Sequence, residues 1–293
     1  MIEYEGALYR PPSEADSLIL QATIGCSYNQ CTFCAMYRDK QFRARPLEEV
    51  EAEIDWAHGH LGPRVRKVFL ADGDALVARP AFLLGILERL RDRFPHLRRV
   101  SCYASPQSLQ LRSIAQMQEL REAGLTQYYL GIESGHDSVL ERLKKGVDAA
   151  EMIRVACKAQ EAGIKLSTMI LLGAGGRKLS HEHAVESARV ASAIQPRFLS
   201  TLVMTPVEGT PLWDEDQRGE LETLEPVELA QELRTLLAHT KLDATIFRSN
   251  HASNTLTVSG TLRKDQDRMV AALDAVLAAP DQARFTPDWQ RGL

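Results

Sequence analysis

The stretch GCSYNQCTFCAMY, residues 25–37, holds three of the five cysteines in the chain. These three, Cys26, Cys31 and Cys34, have the spacing C-x4-C-x2-C, and they follow SLILQATIG, an apolar run typical of a β-strand. Folds built from alternating strands and helices place their chemistry in loops at the carboxyl ends of parallel strands. The stretch therefore indicates an α/β fold whose first strand ends in a loop of three thiols.

Short apolar runs continue to alternate with helical patterns beyond this loop. The strand-like runs cover residues 67–74, 98–105, 127–135, 164–176 and 197–206, and the helical patterns cover residues 46–61, 80–94, 113–124, 148–163 and 180–194. Gly124 and Gly163 end two of these helices just before the next strand. Such alternation predicts βα units on a parallel sheet. The units fit either an open doubly wound sheet or a barrel, and periodicity alone does not choose between them.

The pattern changes after residue 206. A loop leads to a helical pattern over residues 227–242, and a last one covers residues 266–279. This segment is short for an independent domain, so we expect it to pack on the preceding units. The predicted division is a core of residues 1–213 and a C-terminal extension of residues 214–293.

Composition and charge exclude several classes of protein. The chain has 293 residues, 44% of them hydrophobic and 25% charged, which is ordinary for a soluble globular protein. A net charge of −4 gives no electrostatic case for a generic nucleic-acid or anionic-membrane binder. The acidic, proline-broken N-terminal stretch does not resemble a signal peptide, and no apolar run approaches the about 18 residues of a membrane helix. We expect a cytoplasmic protein with reduced thiols and no membrane or nucleic-acid partner.

Clustered cysteines in a reducing compartment indicate a metal site or catalysis. A structural zinc site needs four ligands, and the nearest later candidates for a fourth are His58 and His60. Three thiolates also suit a four-iron cluster that leaves one iron open to a substrate or cofactor. The remaining alternative is that the three cysteines are buried as small apolar residues.

The loop resembles the cluster loop of radical S-adenosylmethionine (radical SAM) enzymes, and Phe33 before the last cysteine fits that loop. The commonest spacing in that superfamily is C-x3-C-x2-C, so this chain has one extra residue in the first gap. The resemblance implies an α/β fold of the radical SAM type, a partial (βα)6 TIM barrel with a small C-terminal α/β extension. It thus favours the barrel over the open sheet.

A second element, ADGD at residues 71–74, resembles the Gly-Gly-Glu element that holds the amino group of SAM. The resemblance implies this role for Asp72, Gly73 and Asp74. A carboxylate paired with an ammonium gives charge-assisted hydrogen bonds, and glycine lets a ligand approach the backbone. The alternative is an ordinary turn at the end of a strand.

Three later elements follow in the order that the superfamily has. GIESG, residues 131–135, resembles the element at the SAM ribose or methionine moiety, which implies that Glu133 accepts hydrogen bonds there. LERLKKG resembles the segment with a basic residue for the SAM carboxylate, which makes Lys145 the candidate, unless it is a solvated lysine at a helix end. ILLGAGG, residues 170–176, resembles the glycine-rich strand end near the adenosine and implies a role for Gly173, unless the glycines only form a tight turn.

The whole resemblance covers about residues 17–213 and is strongest to the branch with the oxygen-independent coproporphyrinogen oxidases and the Elp3-like proteins. It implies an oxidoreductase in which Cys26, Cys31 and Cys34 bind a [4Fe–4S] cluster. An external one-electron donor of the flavodoxin or ferredoxin type reduces the cluster, and SAM is cleaved to methionine and a 5′-deoxyadenosyl radical. That radical takes hydrogen from a small organic substrate that the sequence does not identify. The alternatives are an iron–sulfur electron-transfer or sensing protein without SAM turnover, and a zinc-bound interaction protein.

The sequence offers fewer candidate residues for the substrate site than for the cluster and SAM. FRSNHASN, residues 247–254, offers Arg248 for an anionic group and His251 for proton transfer, unless its polar side chains only satisfy one another in a turn. Cys102 is a candidate thiol for radical chemistry, with burial as a small apolar residue as the alternative. Together with Cys157 it is too little for a second cluster, which argues against methylthiotransferases. HEH, residues 181–183, is expected on a solvated helix face.

Overall fold

A computed structural model describes residues 1–292, in which strands and helices alternate. The strands are β1 (Leu18–Leu20), β2 (Thr23–Ile24), β3 (Arg43–Ala44), β4 (Lys67–Leu70), β5 (Arg99–Ala104), β6 (Leu125–Glu133), β7 (Lys165–Leu172), β8 (Phe198–Val203), β9 (Ile246–Arg248) and β10 (Ser259–Thr261). The helices are α1 (Leu47–Leu61), α2 (Pro80–Arg93), α3 (Pro106–Leu111), α4 (Ile114–Glu122), α5 (Asp137–Arg142), α6 (Ala149–Glu161), α7 (Gly176–Ile194), α8 (Pro211–Gln217), α9 (Pro226–His239) and α10 (Gln266–Ala278). Within residues 1–292, no helix combines the length and the apolar character that crossing a membrane requires.

The chain forms two compact units that share the sequence in alternating segments. The first unit comprises Met1–Asn29, Met36–Leu130 and Val155–Leu166, and the second comprises Gln30–Ala35, Gly131–Arg154 and Ser167–Leu293. Cys26 belongs to the first unit, whereas Cys31 and Cys34 belong to the second. The expected division separates two consecutive segments between residues 213 and 214, whereas the two units alternate along the sequence. The expected division stays a prediction.

The first unit is built on parallel strands in the order β1, β4, β5, β6. One row across these strands consists of Leu20, Leu70, Cys102 and Tyr128, and each of these side chains is fully buried. Residues that lie side by side in parallel strands point to the same face of the sheet, so this row is a layer of the core. Helix α2 packs against α1 and α4.

The second unit contains parallel strands β7, β8 and β9, with β10 antiparallel to β9. Strand β8 alternates half-buried residues with the buried residues Leu199, Thr201 and Val203, as expected for a sheet with one covered face. Helix α9 packs against α7 and α10. The C-terminal segment supplies α9, β9, β10 and α10, so both helices and strands occur in it.

Local sequence explains where several elements begin and end. Gly124 and Gly163 have φ of 118° and 80°, a region that disfavours other residues, and they follow α4 and α6 as the sequence predicted. Ser113 begins α4 with a capping box, because its hydroxyl accepts from the Gln116 amide and Gln116 Oε1 accepts from the Ser113 amide.

The predicted strands all occur; β6 begins and ends two residues earlier than predicted, and the others are shorter than predicted. The first expected strand divides into β1, which pairs with β4, and β2, which pairs with β3 in a separate two-stranded sheet. Strand β6 ends at Glu133, whose φ of 65° does not continue a strand. The prediction of an α/β fold with parallel strands is confirmed.

Candidate functional site

The loop with the first cysteine begins directly after β2. Pairing of β2 with β3 joins the two ends of this loop, with Thr23 opposite Ala44 and Ile24 opposite Arg43. Gly25 has φ of 78°, so the chain turns sharply just before Cys26. The local sequence thus places the first thiol at a turn with a fixed base.

Three consecutive residues after β4 bond to both neighbours of the first cysteine. Asp72 Oδ2 accepts from the Gly25 amide at 2.7 Å, and the Gly73 amide donates to the Gly25 carbonyl at 3.0 Å. Asp74 Oδ2 accepts from the Ser27 hydroxyl at 2.7 Å. The 72–74 segment therefore holds the cysteine loop in place on either side of the thiol.

The Asp72 carboxylate is fully buried and already has several donors. Lys40 Nζ lies 3.1 and 3.3 Å from its two oxygens, and Gln21 Nε2 lies 3.2 Å from one of them. Lys40 is itself buried, so the two charges compensate each other away from solvent. Asp72 also has φ of 67°, a conformation that costs energy in any residue but glycine.

The Asp74 carboxylate is also fully buried. Besides the bond from Ser27, it accepts from the Ser105 amide at 3.2 Å and from the Ser105 hydroxyl at 2.6 Å. Burial raises the pKa of Asp74, and the hydrogen bonds from Ser105 and Ser27 act in the opposite direction. Ser105 is at the same time the N-cap of α3, so Asp74 connects the loop to a helix start.

Gly73 has no room for a side chain. A Cβ atom on it would lie 2.6 Å from Cys26 Cβ and 2.8 Å from the Tyr37 ring, distances that real Cβ atoms do not show. The predicted glycine is thus required by the close approach of the cysteine loop itself.

The other two cysteines flank a segment that is fixed within the second unit. The Thr32 amide donates to the Leu143 carbonyl and the Thr32 hydroxyl to the Arg142 carbonyl, both at 3.1 Å, and the Leu212 amide donates to the Thr32 carbonyl at 3.1 Å. Phe33 packs against an apolar cluster. The cluster consists of Val139, Leu143, Leu171, Ala174, Met204, Leu212 and Leu221.

The three thiols are chemically suited to an iron–sulfur cluster. Cys26, Cys31 and Cys34 are partly exposed, and none of them forms a disulfide. Thiolate sulfur is the ligand that such clusters use. Among residues 1–292, no three His, Cys, Asp or Glu side chains are gathered around one point as the ligands of a single metal ion. The assignment of the three cysteines as cluster ligands therefore stays a prediction.

Two residues that the sequence suggested for different parts of SAM form one ion pair. Lys145 Nζ lies 2.8 Å from Glu133 Oε1, and both side chains are about nine-tenths buried. Glu133 has φ of 65°, and its carboxylate folds back over Gly131, where a Cβ atom would lie 1.8 Å from Oε1. A solvated Lys145 at a helix end is thereby excluded, whereas its role towards a ligand stays a prediction.

The glycine turn after β7 is held by a residue that the sequence did not single out. The Gly173 amide donates to Glu232 Oε1 at 2.7 Å, and the Ser180 hydroxyl bonds to Glu232 Oε2. Burial raises the pKa of Glu232 to about 7. Glu232 interrupts the apolar face of α9 next to Leu233. An acidic residue on an apolar helix face is the sequence pattern from which this residue could have been predicted.

His183 corrects the expectation of a solvated HEH segment. His181 is exposed, but His183 is fully buried on α7, because that face of the helix packs into the second unit. Its Nε2 lies 3.0 Å from the Leu171 carbonyl and its Nδ1 lies 2.8 Å from the Ser134 hydroxyl. Burial lowers the pKa of His183 to about 4, so the ring is neutral at pH 7 and connects the ends of β6 and β7.

Arg248 lies on the open face of the second unit's strands. Register places it beside Ser200, which lies beside Met169, and these three residues form one row. Ser200 and Met169 are half-buried and Arg248 is exposed. Among the described side chains the Arg248 guanidinium forms no ion pair, so the row ends in a cation beside a serine hydroxyl.

His251 takes part in a local hydrogen-bond network. Its Nδ1 lies 2.9 Å from the Ser253 hydroxyl and accepts from the Ser253 amide at 3.2 Å, and Ser253 Oγ accepts from the Val203 amide at 3.1 Å. Asn254 Nδ2 donates to the Thr201 carbonyl at 2.7 Å. This is the turn network that the sequence offered as the alternative, and partial burial lowers the pKa of His251.

Cys102 is fully buried in the core row of the first unit. Burial and the nearby Asp74 carboxylate raise the pKa of its thiol, which keeps the sulfur protonated. These surroundings support the alternative of a small apolar core residue, and a part in radical chemistry stays an untested prediction.

Comparison with known proteins identifies the family. The sequence profile of the radical SAM superfamily matches residues 20–188, more than half of the chain. The chain belongs to the radical SAM superfamily. It is therefore an enzyme, and its cofactors are the [4Fe–4S] cluster and SAM that this superfamily uses. The matched residues include the cysteine loop and the candidate SAM elements.

Individual relatives of this radical SAM protein are distant. It is 28% identical over 211 residues to a tRNA-2-methylthio-N(6)-dimethylallyladenosine synthase of Bifidobacterium adolescentis, which covers 67% of this chain and 41% of the relative. The chain spans less than half the length of the curated relatives it matches. Their activities and substrates therefore do not transfer as findings.

Solved structures show the same fold. Methylornithine synthase (PylB) has a TM-score of 0.54 at 17% identity, with 90% of this chain and 81% of that chain covered. Coproporphyrinogen III oxidase (HemN) from Escherichia coli has a TM-score of 0.55 at 16% identity, with 76% and 52% covered. This likeness confirms the predicted fold class of the radical SAM type.

Proposed function

We propose that Cys26, Cys31 and Cys34 bind the [4Fe–4S] cluster and that the enzyme uses SAM to start radical chemistry on a small organic substrate. The observation that carries this proposal is the C-x4-C-x2-C loop, which lies inside the family match and has both neighbours of Cys26 bonded to the 72–74 segment. The three thiols would hold the cluster, which when reduced would supply the one electron for the cleavage of SAM that starts hydrogen abstraction from the substrate.

In this proposal, the chain's own residues bind SAM and orient it. In the buried Glu133–Lys145 pair, Lys145 offers a cation to the carboxylate of SAM and Glu133 offers an acceptor to the hydroxyls of its ribose. Gly173, with φ of 82°, permits a close backbone approach beside the adenosine. These assignments rest on the resemblance of the motifs, as does the assignment of the SAM amino group to the backbone of Asp72, Gly73 and Asp74.

For the substrate, we keep Arg248 as the group that binds an anion and His251 as the proton-transfer candidate. Arg248 is exposed and has no ion pair with any described side chain, which leaves its guanidinium available to a carboxylate or phosphate. One relative is named for a product in tRNA, but a net charge of −4 argues against an RNA substrate here. We also propose an external electron donor of the flavodoxin or ferredoxin type and a cytoplasmic location.

The test is anaerobic reconstitution with iron and sulfide, reduction with dithionite and addition of SAM. We expect 5′-deoxyadenosine by mass spectrometry, and none from the Cys26→Ala/Cys31→Ala/Cys34→Ala variant. A cluster that forms without binding or cleaving SAM would replace this proposal with electron transfer or sensing. Zinc in place of iron, without visible charge-transfer absorption, would favour the interaction protein.

A further inference from the structure

The 72–74 segment makes a continuous set of contacts with the residues around Cys26. Residue 72 bonds to residue 25 through its side chain, residue 73 bonds to residue 25 through its amide, and residue 74 bonds to residue 27 through its side chain. These bonds lie on both sides of the thiol, at 2.7–3.0 Å. The contacts thus fix the backbone that presents Cys26, whatever the loop binds.

The two carboxylates have little capacity left for a ligand. Asp72 accepts from a backbone amide, the Lys40 ammonium and the Gln21 amide, and Asp74 accepts from two serine hydroxyls and a backbone amide. Neither carboxylate has exposed surface. An incoming ammonium would have to displace donors of the protein, and a buried donor that loses its partner carries a cost of about 1–3 kcal/mol in other proteins.

The close packing around Gly73 also indicates that the 72–74 segment serves to position Cys26. At Gly73 the absent Cβ would come within 3 Å of both Cys26 and the ring of Tyr37, so the segment touches the cysteine directly. Tyr37 is buried, and its carbonyl accepts from Asn29 Nδ2 at 2.8 Å, which fixes a later part of the same loop. The glycine is therefore needed for the position of the thiol, independently of any approach by a ligand.

We propose that Asp72, Gly73 and Asp74 are positioning residues for the cluster ligand Cys26, and that the carboxylates of Asp72 and Asp74 do not bind the SAM amino group. This inference rests on the proposed function, because it concerns the role of Cys26 as a ligand. Residues that orient a metal ligand through hydrogen bonds typically change metal retention about 10–100-fold when they are replaced.

The experiment compares Gly73→Ala and Asp74→Ala with Gly59→Ala, whose new Cβ has no neighbour within 4 Å. After anaerobic reconstitution, iron content, loss of the cluster to a chelator and SAM affinity are measured. We expect both test variants to lose the cluster about 10-fold faster than wild type. Gly59→Ala is expected to match wild type. Asp74→Asn is expected to restore retention, because its amide oxygen still accepts from Ser27.

A second readout uses the protein without cluster. The rates at which iodoacetamide modifies Cys26 and Cys157 are measured peptide by peptide. We expect Gly73→Ala and Asp74→Ala to speed the modification of Cys26 while that of Cys157 is unchanged. Faster modification of both cysteines would show general loss of structure and would overturn the assignment.

Retention of the cluster together with weaker SAM binding would contradict the inference. If both test variants keep the cluster as firmly as Gly59→Ala and bind SAM more weakly, the 72–74 segment is a SAM site and the inference is wrong. If wild type itself takes up no cluster, the proposed function fails. The modification rate of Cys26 then still decides whether the segment positions this residue.

Discussion

The ion pair of Glu133 and Lys145 makes a prediction at the scale of single residues. Replacing Lys145 by Met leaves a carboxylate nine-tenths buried without its cation, which typically destabilises a protein by about 3–5 kcal/mol. Urea unfolding of the protein without cluster measures this change. The double variant Glu133→Gln/Lys145→Met is expected to recover most of the loss, because it removes both charges together.

The control for this prediction is Arg154→Ala, which breaks an exposed pair with Glu151. We expect no measurable change there, because exposed ion pairs contribute little. If Lys145→Met is as stable as Arg154→Ala, the buried pair does not exist in solution as described.

Glu232 predicts a pH dependence of stability. Its pKa is raised from 4.5 to about 7 in the folded protein, so the stability that the neutral acid contributes is complete below pH 4.5 and is lost as the pH rises through about 7. Glu232→Gln keeps an acceptor for Gly173 and does not ionise. The stability of the variant relative to wild type is expected to rise by about 3 kcal/mol between pH 5 and pH 8.

Urea unfolding at these two pH values measures the difference. His183 acts with the opposite sign, because its lowered pKa gives stability that is present above pH 6.5 and lost as the pH falls through about 4. It is present in both proteins and so largely cancels in the comparison. An unchanged difference between pH 5 and pH 8 would show that Glu232 is not buried as a neutral acid.

At the scale of elements, the start of α5 lies directly against the backbone of α7. A Cβ atom on Gly135 would be 2.1 Å from the Glu186 carbonyl oxygen, and the Gly135 amide already donates to Ser187 Oγ at 2.9 Å. Gly135→Ala must therefore move one helix, and we expect a loss of about 3 kcal/mol in the free energy of unfolding.

Gly59→Ala is the matched control, since Gly59 lies within α1 and has open space around it. Alanine favours a helix over glycine, so this variant is expected to gain about 0.5–1 kcal/mol in the same urea experiment. Equal effects of the two substitutions would contradict the close contact at Gly135.

The elements also show what could be predicted from the sequence. Three local patterns could be read from the sequence: the alternation of strands and helices, the glycines that follow two helices, and the cysteine spacing. The structure has the alternation and the glycines Gly124 and Gly163 as expected. The partners of Asp72 and Gly173 lie 47 and 59 residues away along the chain, and only the packed elements bring them together. His183 illustrates the same limit, because the buried face of α7 depends on its neighbours.

At the scale of the whole molecule, each unit has a buried apolar core in addition to the cysteine loop. Fully buried apolar residues such as Phe69 and Phe247 fill the two units, whereas Cys26, Cys31 and Cys34 are partly exposed. We therefore expect that removing the cluster with a chelator leaves the far-ultraviolet circular dichroism unchanged and cooperative unfolding in urea intact. A small zinc-dependent domain behaves differently and unfolds without its metal. Loss of the helical signal on chelation would contradict this prediction.

Two of the candidate residues, Asp72 and Glu133, have positive φ angles of 67° and 65°. Such left-handed conformations are strained in residues other than glycine. Glycine would relieve the backbone at either position, but it would leave Lys40 or Lys145 buried without its anion, which costs about 3–5 kcal/mol against about 1–3 kcal/mol for the strain. The two acids are therefore held in these conformations by the lysines that they neutralise. A laboratory evolution experiment with heat as its only pressure should change each acid together with its lysine, and not the acid alone.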